Sequence, residues 1–112
     1  MRREQYPIKD GSLVYLTVTI GEAQQGACSA VLSGRTVANG RRIDRAELGA
    51  GAALRGKSLV VSAMVAKTRK ETDRSSITVS LTGGETPAEW ADVEQISNQG
   101  DIAHHAMVVD FR

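Results

Sequence analysis

Residues 57–67 read KSLVVSAMVAK, the most apolar run of the chain. Leu59, Val61, Ala63 and Val65 fall on one parity, and Val60, Met64 and Ala66 fall on the other. β-Branched side chains favour extended backbone, and successive side chains of a strand point to opposite faces. The run therefore predicts a strand that is apolar on both sides. Such a strand is central in its fold, or it turns its second face to a partner. After the charged stretch RKETDR at 69–74, residues 76–82 alternate Ile77, Val79 and Leu81 with Ser76, Thr78, Ser80 and Thr82, the pattern of a strand with one face in a core. Neighbours in sequence, the two strands are expected to form a hairpin with a long tip.

Working outward, LVYLTVTI at 13–20 alternates in the same way, with Val14, Leu16, Val18 and Ile20 on one side. Beyond a polar turn at 21–26, Cys28, Ala30 and Leu32 share a face, so a second strand antiparallel to the first is expected. Residues 35–38 suggest a short strand, Asn39-Gly40 a turn, and residues 41–43 its partner. Asp44 and Glu47 have capping-box spacing, although Gly49 and Gly51 leave room for only about one helical turn. Thr86-Pro87-Ala88-Glu89 combines a cap, a first-turn proline and a closing glutamate, with Trp90, Val93 and Ile96 following near helical spacing. The chain closes on a strand at 102–111 in which Met107, Val109 and Phe111 share a face. The expected fold is mainly β: an antiparallel β-sandwich or open barrel of about six to seven strands, with one short capped helix over about 87–96.

A chain of 112 residues, 41% hydrophobic and 24% charged, has the size and composition of a single domain, here 1–112 with residues 1–11 as a flexible or extended arm. Formal net charge is +1, which gives no overall field to draw the chain to nucleic acid or an anionic membrane. The basic start Met1-Arg2-Arg3 leads into Lys9-Asp10-Gly11, not into the apolar core of a secretory signal, so a cytoplasmic location is expected. Cys28 is the only cysteine. It reads as a small buried hydrophobe, and it rules out an intramolecular disulfide.

The sharpest chemical motif is Gly51-Ala52-Ala53-Leu54-Arg55-Gly56-Lys57-Ser58, which fits the phosphate-loop pattern of glycine, four residues, then Gly-Lys-Ser. Phosphate binding also needs a strand before the loop and a helix after it, and here a β-branched run follows. No nucleotide or other cofactor is expected. His104 and His105 are adjacent, so in a strand they face opposite ways and cannot share one metal ion within a chain. No Cys-x-x-Cys, His-x-Glu or Gly-x-Ser-x-Gly spacing occurs, so neither a metal nor a nucleophilic serine is assigned. Arg41, Arg42 and Arg45, and likewise Arg69, Lys70 and Arg74, are interleaved with acids, and aromatic content is 4%, too little to build a base-stacking platform.

Two readings follow. The first is a noncatalytic interaction or assembly module that associates with another protein, first of all with a second copy of itself as a homo-oligomer, with Val60, Met64, Ile102 and Val108 at the interface. The second is a small ligand-binding or enzymatic domain whose site lies in the 39–56 loops and gathers Arg41, Asp44 and Arg55.

Overall fold

The computed structural model describes residues 2–22 and 24–112. Period-two alternation dominates it, and nine strands form among the described residues: β1 (Arg2–Tyr6), β2 (Leu13–Ile20), β3 (Gln25–Leu32), β4 (Arg35–Gly40), β5 (Ile43–Ala50), β6 (Ser58–Ala66), β7 (Arg74–Thr82), β8 (Ala88–Gln95) and β9 (Ile102–Phe111). They make a five-stranded sheet in the order β1-β9-β6-β3-β4 and a four-stranded sheet in the order β5-β2-β7-β8. Every pairing is antiparallel except β1 with β9. The inward parities meet between the sheets. Val14, Leu16 and Val18 of β2 and Ile77, Val79 and Leu81 of β7 pack with Leu59, Val61 and Val65 of β6 and Met107 and Val109 of β9. All of these are fully buried. This is a β-sandwich with one shared core.

The expected helix over 87–96 is corrected to strand β8. Ala88, Trp90 and Asp92 face inward, and the segment pairs with β7 over eight residues, from Leu81 with Ala88 to Arg74 with Gln95. The capping pattern at 86–89 is real but local, worth about 1 kcal/mol, and the row of backbone bonds offered by β7 outweighs it. Residues 44–47 are corrected in the same way. They lie in β5, where positive φ at Arg45 (48°) accompanies the register shifts against β2. The one α-helix among the described residues is α1, Gly51–Leu54.

Connectivity differs from expectation too. β6 and β7 do not form a hairpin: β6 lies between β3 and β9, and β7 lies in the other sheet between β2 and β8. β2 and β3 likewise belong to opposite sheets, and the chain after Asn39-Gly40 crosses from β4 to β5 instead of turning back. β4 and β5 change sheet over Arg41 and Arg42 alone, at a corner where Gly40 takes positive φ (145°). For β6 and β7 the long 67–73 connection is the physical reason, because a loop of that length can cross the roughly 10 Å between packed sheets. That crossing is built around Lys67. Its ammonium, 4% exposed, donates to the carbonyl oxygens of Arg69 (2.9 Å) and Thr72 and pairs with Asp73 (3.1 Å). The Gln24 side chain fastens the same loop by accepting from the amides of Thr68 (2.8 Å) and Arg69 (3.1 Å).

The first residues are part of the sandwich, with Arg2–Tyr6 running along β9. Tyr6 is 1% exposed and sits edge-on to Trp90 (6.4 Å between ring centroids) and Phe111 (6.3 Å). Its hydroxyl donates to the Leu81 carbonyl (3.3 Å) and accepts from the Gly84 amide (2.9 Å). Burial pushes this phenol's pKa up, so it stays a donor. Gly84 is required there, because a Cβ would lie 2.4 Å from the Pro7 oxygen and 2.6 Å from the tyrosine ring.

Candidate functional site

A groove of about 720 Å³ runs over the outer face of the five-stranded sheet. It follows from the double apolarity of residues 57–67. The odd residues of β6 turn into the core, so the even ones must face out. In β9 the even residues do the same, and registry sets Val60 beside Val108, Met64 beside His104, and Ala66 beside Ile102. On the other flank, β3 places Ala27 beside Met64 and Ser29 beside Ser62. Small side chains of Ala27, Ser29, Ser62 and Ala106 make the floor, while Met64 and His104 rise from it. Met64 and Ile102 are each 53% exposed. Val60 is half-buried, and Val108 is 8% exposed. The four residues expected at an interface thus lie on one face, with Met64 and Ile102 the most exposed of them and Val108 already buried within the chain.

The residues of the ligand reading are not brought together. Arg41 lines a separate cleft of about 300 Å³ with Arg42, Gln24 and Gln25. Arg55 lies beyond the far end of β5, ion-paired with Asp10. Eight strand residues, about 25 Å of extended chain, separate the two ends. Asp44 is on β5 at the Arg41 end.

The Gly51–Ser58 motif does not form a phosphate cradle. Its amides are already engaged, Gly51 to the Ser12 oxygen (2.9 Å), Ala52 to Asp10 (3.2 Å), Gly56 to Phe111 (3.0 Å) and Lys57 to Leu54 (2.9 Å). Gly51 is demanded by packing, since a Cβ there would lie 2.0 Å from the Lys9 oxygen. Ser58 begins β6, and its hydroxyl donates to Asp110. A strand does precede the motif, since β5 runs to Ala50, but strand β6 and not a helix follows it.

One constellation that the sequence reading missed lies inside the sandwich. His105 Nδ1 is 2.8 Å from Asp92 Oδ2, and its Nε2 is 2.7 Å from Ser75 Oγ. A carboxylate at Nδ1 holds a hydrogen on that nitrogen, so Nε2 of the neutral ring accepts from the serine. This is the connectivity of a Ser-His-Asp relay. Acyl transfer also needs a reachable nucleophile, and Ser75 and His105 are 0% and 1% exposed. No carbonyl carbon can reach Ser75 Oγ. The chain of bonds instead ties β9 of one sheet to β7 and β8 of the other, and it satisfies every polar atom it buries. Parity placed His105 inward. Its partners were hidden because Asp92 was read as part of a helix and β7 as the neighbour of β6.

Two other candidates have structural roles. Cys28 is 3% exposed and donates to the Gly40 oxygen (3.4 Å), and burial pushes its thiol pKa up, away from nucleophilic thiolate. Asp110 binds Arg3 through both oxygens (2.6 and 3.0 Å), which with the Ser58 hydroxyl lowers its pKa. Among the described residues no group of three or more His, Cys, Asp or Glu is disposed to hold a metal ion. No helix among them is long and apolar enough to cross a membrane. Comparison with known proteins gives no match: no family model, no curated protein and no solved structure.

Proposed function

We propose that this chain is a noncatalytic assembly module that pairs with a second copy of itself through the outer face of the five-stranded sheet. The observation that carries the reading is the groove itself, in which a half-exposed Met64 stands beside a trough of small side chains on the same face. A two-fold contact presents the same patch from both sides, so each methionine meets the other copy's trough. Methionine suits this role because its unbranched, polarisable side chain adapts to an irregular hollow. A net charge of +1 leaves little repulsion between copies.

The available area is adequate. Five strands about 4.8 Å apart and 5 to 10 residues long, about eight on average, cover roughly 600 Å² per copy, so a facing pair removes on the order of 1,200 Å² from water. That reaches the lower bound of stable specific interfaces, roughly 1,200 Å². Light scattering across a concentration series tests the reading. The expected result is a mass rising from 12.0 kDa towards twice that value, and a return to 12.0 kDa in Met64→Lys with an unchanged melting temperature. A wild-type mass of 12.0 kDa up to millimolar concentration overturns it.

A further inference from the structure

At the end of the sandwich where β2 leaves one sheet and β3 enters the other lies a cleft of about 300 Å³, lined by Ile20, Gln24, Gln25, Gly26, Arg41 and Arg42. Ile20 continues the inward parity of β2 and packs against the core, which gives the cleft an apolar wall. Gly26 leaves its side open, because a Cβ there would lie 2.2 Å from the Met64 oxygen. Gln24 is 6% exposed and held in place: its Oε1 accepts from the amides of Thr68 and Arg69, and its Nε2 donates to the Arg74 carbonyl (3.3 Å). The second Nε2 hydrogen has no partner among the described residues.

Arg41 and Arg42 are consecutive, and consecutive side chains of a strand part to opposite faces. They meet in one cleft because the chain turns there from β4 into β5, past Gly40 with its positive φ (145°). Both are exposed, so a solute can reach them. Neither takes part in an ion pair among the described residues, and no carboxylate lines the cleft. Glu22 and Asp44 stand nearest in sequence, and neither pairs with them, while Glu71 and Asp73 are engaged with Arg69 and Lys67. Two guanidinium charges without a counter-ion, beside an apolar wall that screens poorly, make this a site of positive potential.

We infer that this cleft binds a small phosphate monoester. Each guanidinium offers paired N–H donors that match phosphate oxygens, and two of them balance the nearly double negative charge of a monoester at neutral pH. A carboxylate or a phosphodiester brings a single charge and leaves one arginine unbalanced. The amides of Gln24 and Gln25 suit the hydroxyl groups of a polar body, and a volume at the lower end of the usual range for ligand pockets, about 300–1,000 Å³, fits a small molecule. The cleft shares no lining residue with the groove of the five-stranded sheet, so ligand binding goes beyond assembly and holds or fails separately from it.

The test is an NMR titration of the full chain at low salt and neutral pH with glycerol phosphate, with dimethyl phosphate as the singly charged diester and glycerol as the neutral body. Glycerol phosphate is expected to bind saturably and to move the amide signals of Gly26, Arg41 and Arg42, while those of Met64 and His104 in the groove stay in place. Dimethyl phosphate is expected to bind roughly tenfold more weakly, the loss of one charge-assisted hydrogen bond, and glycerol not to bind. Arg41→Gln and Arg42→Gln should each weaken glycerol phosphate by roughly tenfold or more. Arg35→Gln removes an exposed arginine on β4 outside the cleft and should change the affinity by less than about twofold. No saturation by glycerol phosphate, signal changes in the groove in place of the cleft, equal affinity for dimethyl phosphate, or an equal loss in Arg35→Gln overturns the inference. The wild-type signal map decides the location even if a variant fails to fold, and none of these results bears on self-association.

Discussion

The outer faces of the two sheets are built on the same alternation and dressed in opposite ways. On the four-stranded sheet, Tyr15, Thr17 and Thr19 of β2 lie beside Thr82, Ser80 and Thr78 of β7, a ladder of hydroxyls that water can solvate. The Arg45 guanidinium lies over the Tyr15 ring at 4.8 Å and closes the one aromatic patch there. On the five-stranded sheet the equivalent positions of β6 and β9 are Val60, Ser62, Met64 and Ala66 beside Val108, Ala106, His104 and Ile102, apolar at six of the eight. Apart from the Ser75, Asp92 and His105 chain, the inward residues of β2, β6, β7 and β9 are apolar and buried in both sheets, so burial within the chain does not distinguish them. The difference lies in what each face requires outside. The ladder of β2 and β7 is hydroxylic, although Leu13 and Val93 are exposed on the same sheet, and the β6 and β9 face is mostly apolar.

The largest effect expected from breaking this comparison is on the inward side, where both sheets contribute alike. Leu81→Ala removes a fully buried side chain and leaves a cavity, which should cost about 2–5 kcal/mol in chemical denaturation. The adjacent Ser80→Ala points outward and should stay within about 0.5 kcal/mol. A similar contrast holds for the histidines. His105→Ala strips Ser75 and Asp92 of their partner inside the sandwich and should cost roughly 1–3 kcal/mol, the cost of buried polar groups left unsatisfied. His104→Ala, on the groove side, should leave unfolding unchanged and alter only the association isotherm. Equal losses at 104 and 105 would contradict the assignment of the faces.

These contrasts also measure how far the sequence was legible. Parity along 13–20, 57–67, 76–82 and 102–111 placed the core and put Val60, Met64, Ile102 and Val108 on one face, because side-chain direction in a strand is a local property. Sheet membership is not local. β2, β6 and β7 show one-residue-in-two patterns that hold equally for a hairpin and for a crossing, so the partners came out wrong. The 86–96 segment carried a genuine helix-start signal, and only the free edge of β7, supplied by distant sequence, converted it to strand. The Ser75, Asp92 and His105 chain was illegible for the same reason. Its members meet only once β7, β8 and β9 have their tertiary places.

A smaller effect is expected at the margin of the apolar face, where Asp110 pairs with Arg3. The carboxyl pKa is lowered in the folded state, so its stabilisation is fully present above the ordinary carboxylate value and is lost as pH falls through the lowered one. The melting-temperature gap between wild type and Asp110→Asn should therefore be constant near neutrality and close below about pH 4. Added salt should narrow it, since the Arg3 side chain is 63% exposed. A gap that widens on acidification would show that the pair does not favour the charged carboxyl.

The smallest effect on folding, and the sharpest on the comparison, should come from making the hydroxyl face resemble the other one. Thr19→Val, Thr78→Val and Ser80→Val together replace three hydroxyls on adjacent strands with methyls, and all three remain outward. Valine and threonine have similar strand propensity and Ser80→Val raises it, so unfolding should shift by less than about 1 kcal/mol. Association should change more, because a solvated ladder becomes a contiguous apolar strip. In a Met64→Lys background, with the original groove disabled, the triple variant is expected to regain a concentration-dependent mass above 12.0 kDa in light scattering. If it stays at 12.0 kDa, apolar character is not sufficient, and the trough of Ala27, Ser29, Ser62 and Ala106 beside Met64 supplies a shape that the other sheet lacks. Either result separates the two properties combined in the five-stranded face, its chemistry and its relief.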